Sequence, residues 1–395
     1  MTTSKTTTTN LYTASKQWAE RPADQRFESL DEMFDACRHY AEAARTARVL
    51  MNDLRVETND SQTDLLLSGP AGNPATLTHW SFGQLCNRIA APSDYLRKLP
   101  APIAATCLTH GLQKHGDDGN RCNALFHSNG NFVCRAFTSD DYARIWNYEL
   151  VGKLRDVAGD GWKVPPARPA WNNQPGSRPA TEADCLDVRM AGLGIKPGDL
   201  IAPAGLYASD HDCFIFMVNE EQRIDDGSDG GLSRGFFISN SEVGASALKV
   251  TKFLYRHCCG NHIVWDAKNV QELRIVHRGR NDHRYGWKLR TELRQYANES
   301  AMDDQNRVTC AKGYILGATK DEVIEKLFGM KTLPRKTLDV AYDHACQEAD
   351  IRTTVSPRSV WGMVQGITHM SQGTTYADER TALDRAAGKI LSIAF

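Results

Sequence analysis

Three groups of residues in this 395-residue chain carry side chains suited to chemistry. The first is His257, Cys258, Cys259, His262, His277 and His283, the imidazoles and thiols that ligate zinc. Zinc takes four tetrahedral N or S ligands, usually drawn from pairs of Cys or His a few residues apart. Here Cys258 and Cys259 are adjacent, and successive residues of a strand face opposite sides. Buried thiols and surface imidazoles are therefore the better expectation, and no metal or other cofactor is assigned.

The second group, Glu242, Cys259, Asn261, His262 and His277, has the makings of an acid/base or nucleophilic centre. Phosphodiester hydrolysis needs a general base and usually a divalent cation held by several carboxylates. Glu242 is the only acid between Ser239 and Trp265, with Asp266 just beyond. Cys259 with His262 or His277 would make a nucleophile and base, but no local signature marks such a pair. A nucleic-acid-processing enzyme centred on Glu242, His262 and His277 stands as the alternative, and the balance leans away from an enzyme. In the competing structural role, Asn240 and Ser241 make a turn, Gly244 permits close backbone approach, and Glu242 receives Arg256 or Lys252.

The third group is basic. From Lys249 to Arg294 there are 11 Lys/Arg against four Asp/Glu, a local +7 in a chain whose net charge is −1. Its candidates for nucleic-acid contact are Lys249, Lys252, Arg256, Arg278, Arg280, Arg284, Tyr285, Trp287, Lys288 and Arg290, with Arg294 beyond. Phosphates need Lys or Arg, and unpaired bases need flat aromatic faces. In a strand, Lys249, Thr251, Phe253 and Tyr255 share one face and Val250, Lys252, Leu254 and Arg256 the other. No groove-reading motif is present, so binding would be weakly sequence-selective. The bland counterpart is a solvated basic face whose aromatics belong to the core.

The segments "NSEVGASALKV" at Asn240 to Val250, "RHCCGNHIVW" at Arg256 to Trp265, and His277 in "IVHRG" resemble the phage- and plasmid-borne proteins of domain-of-unknown-function family 932. The likeness extends to "WSFGQLCNRIAAPSDYLRKLP", "RAFTSDDYARIWNYELV" and "SVWGMVQGITH". Many members read Cys, any residue, Asn, Gly where this chain reads Cys259-Gly260-Asn261-His262. The resemblance implies a mobile-element origin and a bacterial cytoplasm, and it implies no activity. Joined to the basic segment, it suggests a DNA-binding accessory protein, with single-strand binding in recombination or replication as the expected task. An anti-defence or regulatory protein acting through protein contacts is the further alternative, and self-association is left open.

The elements that must position these groups follow from periodicity. "LDEMFDACRHYA" after Ser29 reads as a capped helix running into a strand near Val49 to Val56. Pro92, Pro100 and Pro102 punctuate short helices after Thr78, and Asn129-Gly130 suits a hairpin. Tyr142, Ile145, Trp146, Leu150, Leu154 and Val157 predict one amphipathic helix capped by Thr138 or Ser139. "CLDVRMAG", "DCFIFMVN", "RGFFISNS", "HIVWD" and "ELRIVH" read as strands of a mainly antiparallel sheet. The capping-box spacing Thr319 to Glu322, and Ser356 followed by Pro357, start helices near the C-terminus.

The expectation is an α+β protein with a helical N-terminal part, a central antiparallel sheet and a helical C-terminal part. Its divisions are a Thr-rich tail at 1–28, an α+β region at 29–164, a loop or linker at 165–184, a β-rich region at 185–300 and helices at 301–395. With 41% hydrophobic and 24% charged residues, the chain has ordinary globular usage. No run of about 18 apolar residues and no secretory h-region is present, so no membrane partner is expected. Eleven cysteines without a compact framework fit a reducing cytoplasm. Neither phosphate-loop nor dinucleotide-fold glycine patterns occur.

Overall fold

The computed structural model describes residues 26–395 except 71, 116–120, 130, 166, 171–176, 187–193, 204, 210–211, 229–230, 257–261, 265–272, 276, 278–284, 352–354 and 373–376. Strand β1 (Arg26–Phe27) precedes α1 (Leu30–Glu42), whose Ser29 accepts from the Glu32 amide and whose Leu30, Met33 and Cys37 are buried. The strand expected near Val49 starts earlier, at β2 (Ala44–Leu50), and breaks at a 3-10 turn, Met51–Asp53, before β3 (Arg55–Thr58). The turn puts Met51 and Leu54 into the core. Next come β4 (Leu65–Gly69), β5 (Gly72–Leu77), α2 (His79–Arg88), α3 (Ser93–Leu96), α4 (Ala101–His115), β6 (Arg121–Asn129) and β7 (Asn131–Thr138).

These strands form a six-stranded sheet in the order β2-β6-β7-β5-β4-β3. Only β5 and β7 pair in parallel. Asn129 faces Asn131 across the expected hairpin, with Gly130 outside the described residues. Phe82 and Leu85 of α2 and Leu108 and Leu112 of α4 bury the sheet's Leu67, Cys122 and Phe126. The strand expected near Val49 to Val56 and the Asn129-Gly130 hairpin both belong to this N-terminal sheet.

The next elements are α5 (Asn147–Ala158), β8 (Trp162–Lys163), β9 (Arg168–Pro169), β10 (Arg178–Pro179), α6 (Glu182–Leu186), β11 (Leu200–Ala202) and β12 (Leu206–Ala208). They are followed by β13 (Cys213–Ile224), β14 (Leu232–Asn240), β15 (Leu248–Arg256), β16 (His262–Val264), β17 (Leu273–Ile275) and α7 (Tyr285–Ala297). Two expectations are corrected. Cys185 and Leu186, read as the start of a strand, lie in α6. Helix α5 begins at Asn147 rather than after Ser139, because Tyr142, Arg144 and Ile145 are drawn out to bond the segment leaving β14.

The central sheet runs β1-β12-β13-β14-β15-β16, with β17 also on β15 and β8 on β13. Every pairing in it is antiparallel. Ile215, Met217, Phe236, Ile238 and Val250 join residues of α1, α5 and α7 in one core. Alternate residues Phe216, Phe237, Phe253 and Tyr255 form an aromatic cluster on the other face. A Cβ at Gly235 would lie 2.2 Å from Phe253 Cε2, so only glycine lets that ring lie across β14.

The chain ends in α8 (Ala301–Gly313), α9 (Lys320–Gly329), α10 (Arg335–Ile351), α11 (Val360–Gln372) and α12 (Ala377–Leu391). Thr319 caps α9 by accepting from the Glu322 amide, while the Glu322 carboxylate takes the Ala318 amide rather than that of Thr319. Ser359, not Ser356, caps α11, accepting from the Gly362 amide at 3.0 Å. Trp361, Val364 and Ile367 pack as core, together with Leu232 and Leu254 from the sheet. A Cβ at Gly366 would lie 2.0 Å from the Ala341 carbonyl oxygen, which is how closely α11 approaches α10. The α+β arrangement with helices at both ends is the observed one. Among the described residues no helix is long and apolar enough to cross a membrane.

Candidate functional site

The Asn240–Gly244 segment leaves β14 and enters the interior. Asn240, Ser241, Glu242 and Val243 are all buried. Asn240 Nδ2 donates to the Ile145 carbonyl at 3.0 Å and to Asn147 Oδ1 at 2.8 Å. The Tyr142 hydroxyl donates to the Ser241 carbonyl at 2.8 Å, and Arg144 Nη1 donates to the Glu242 carbonyl. From α2, Trp80 Nε1 and Gln84 Nε2 both reach the Val243 carbonyl, at 3.0 and 2.8 Å. Gly244 follows with φ +81, a left-handed conformation that favours glycine.

Glu242, 2% exposed, is held at both carboxylate oxygens. Oε2 lies 3.1 Å from Arg135 Nη2, and Oε1 accepts from the Asn147 amide at the start of α5 at 2.8 Å. Arg135 comes from β7, is 1% exposed, and lies over the Tyr40 ring at 4.5 Å. Glu242 therefore joins the central sheet to the N-terminal sheet. The partner expected for it, Arg256 or Lys252, is corrected to Arg135, because the segment turns inward at Asn240 instead of folding back over β15. A buried carboxylate with both oxygens engaged serves as an anchor, not as a base for an outside substrate.

His277 is 4% exposed, donates from Nδ1 to the Ala143 carbonyl at 3.2 Å, and stacks on Tyr142 with ring centroids 5.0 Å apart. Glu242 and His277 thus hold the same segment, residues 142–147. Burial, reinforced by Arg144, lowers the His277 pKa from 6.5 to about 4, against the opposing bond to Ala143. The unfolded chain takes up this proton at higher pH than the folded one. The stability from a neutral His277 is complete above about pH 6.5 and is lost as pH falls towards 4. Urea unfolding of the wild type is expected to lose ~2–3 kcal/mol over that interval through this group. The His277→Gln variant is expected to show a flatter profile; an identical profile would refute the assignment.

Cys259, with His257, Cys258, Asn261 and His283, lies outside the described residues. So does the side chain of His262, whose backbone pairs with Tyr255. Among the described residues no group of three or more His, Cys, Asp or Glu is arranged to hold a metal.

The basic candidates separate by burial. Arg256 is corrected from a phosphate contact to an interior residue. It is 0% exposed, with Nε 3.1 Å from Asp226, and Nη1 3.2 Å from Glu348 and 3.0 Å from Gln365 Oε1. Glu348 in turn receives His369 Nδ1 at 2.7 Å. Tyr285 is likewise buried, in the core beneath α7. Lys252 pairs with Glu299 at 3.5 Å and lies over Tyr296. Arg290 and Arg294 both bind Asp160, at 3.3 and 2.9 Å, which lowers the Asp160 pKa through those bonds. Lys249 is half-buried in β15. Arg278, Arg280 and Arg284 lie outside the described residues.

What reaches solvent is the outer face of α7. Leu289, Leu293 and Tyr296 are buried on one side of this helix, whereas Trp287 is 68% exposed and Lys288 is exposed beside it. Lys153 of α5 lies against Gly286 and reaches over the Tyr285 ring at 5.1 Å. Sequence reasoning missed Lys153, since its place against Gly286 and Tyr285 arises from the packing of α5 on α7. It also missed Arg135, whose signal was a lone charge between apolar neighbours of a strand.

Comparison with family models, curated proteins and solved structures returned no match. Fold and site together define an α+β protein in which two sheets are locked together by a buried ion pair.

Proposed function

We propose that the chain is a nucleic-acid-binding accessory protein of a phage or plasmid, working in a bacterial cytoplasm and holding single-stranded DNA on the outer face of α7. The observation that carries this reading is Trp287, a large aromatic side chain 68% exposed on a helix whose other side is fully packed. An exposed indole offers a stacking plane for an unpaired base, with Lys288 next to it in sequence for a phosphate and Lys153 on the neighbouring helix. Resemblance to family 932 supports the mobile-element part of the reading. The burial of Glu242 and His277 favours a binder over an enzyme centred on them.

Fluorescence anisotropy with labelled single-stranded oligonucleotides tests the proposal. Trp287→Ala is expected to weaken binding about tenfold or more. Lys288→Ala is expected to reduce the slope of log affinity against log salt by about one. No measurable affinity at low salt, or affinity independent of salt, would sink it.

A further inference from the structure

The turn between α9 and α10 uses none of the residues above, and its chemistry is different. Residues Phe328, Gly329, Lys331, Thr332, Leu333 and Pro334 line a hollow of about 440 Å3. Phe328 and Met330 are 46% and 36% exposed, although α9 buries Val323, Ile324 and Leu327 on its other side. From Lys326 to Leu338 the sequence holds Lys326, Lys331, Arg335 and Lys336 and no acid. All four are exposed. Arg335 pairs with Glu325 on the rim, and Lys326 donates to the Tyr314 hydroxyl. No described carboxylate pairs with Lys331 or Lys336.

Two details single this turn out. Lys331 sits at φ +54, where glycine or asparagine is usual after a helix end. A lysine there carries the steric strain of its Cβ, and such outliers cluster at functional sites. Thr332 Oγ1 is buried in the wall of the hollow without a hydrogen-bond partner. Such a buried, unsatisfied hydroxyl is rare in a folded chain. The amino end of α10 adds its positive dipole end at the same rim.

We propose that this hollow is a docking site for an acidic peptide that carries a bulky apolar side chain. The apolar residue fills the space over Gly329 and against Phe328 and Leu333. The flanking carboxylates meet Lys331 and Lys336. Charge complementarity selects this partner, since a basic peptide would meet like charge on the rim, and a purely acidic one would leave the apolar floor uncovered.

Anisotropy of a fluorescein-labelled peptide of three aspartates followed by Leu-Phe tests the site on the full chain. Saturable binding with Kd of about 10–100 μM is expected. Replacing the aspartates by lysines, or Leu-Phe by Ser-Ser, is expected to weaken it at least about tenfold. A Cβ at Gly329 meets nothing within 4 Å, so Gly329→Leu adds bulk at a lining position where its Cβ is unobstructed. That variant and the surface variant Lys336→Glu are both expected to lose about tenfold in peptide affinity while melting like the wild type. No binding at about 1 mM peptide, or wild-type affinity in both variants, overturns the proposal.

Discussion

Replacing Glu242 by Ala is expected to destabilise the fold by about 3–5 kcal/mol, among the largest effects of any single substitution in the chain. Arg135 would be left as a buried cation without its carboxylate, and the Asn147 amide would lose its acceptor at the start of α5. Glu242→Gln keeps the shape and the amide bond, so it should cost less than Ala. The double variant Arg135→Met, Glu242→Leu removes both charges together and should recover much of the loss. Urea unfolding of the four proteins measures this. A loss below about 1 kcal/mol for Glu242→Ala would show that the pair is not the anchor described here.

Arg256→Ala is expected to cost a comparable ~3–5 kcal/mol, through a different junction. Arg256 ties the end of β15 to Asp226 and to Glu348 of α10 and Gln365 of α11. Without it, Asp226 and Glu348 both lose the guanidinium they share. Arg256→Lys should rescue only part of the loss, since an ammonium cannot reproduce the guanidinium fork. Hydrogen exchange read in α10 and α11 would rise in the Ala variant if the network fastens the C-terminal helices to the sheet. Unchanged protection there would refute that role. The same variant separates structure from binding: if α7 carries the nucleic acid, Arg256→Ala weakens DNA binding only as far as it unfolds the chain.

These two arginines show how far the sequence could be read. The alternation in β15 was legible, and the structure keeps it: Phe253 and Tyr255 lie in the aromatic cluster, with Val250 and Leu254 in the opposite cores. The fate of Arg256 was not legible, because its partners lie 30 and 92 residues away in sequence. For the same reason Glu242 was matched with neighbours in β15, when its true partner, Arg135, stands 107 residues before it. The apolar stripe from Tyr142 to Val157 showed real burial and the wrong helix start. Local periodicity does not register that Ile145 and Ala143 lend their carbonyls to Asn240 and His277.

By itself the sequence determined what depends on short-range preference. That includes the caps at Ser29 and Thr319, the strands from β13 to β15, the helical ends, and the concentration of basic charge from Lys249 to Arg294. Each follows from backbone sterics, local hydrogen bonding or period, which act over a few residues. Tertiary structure alone decided which charged groups are spent inside and which face solvent. An ion withdrawn from water needs a partner of opposite charge, and only the fold brings such partners together across long stretches of chain. The segment "NSEVG", with a look of chemistry, was thereby turned into an anchor, and Trp287 was left exposed on α7.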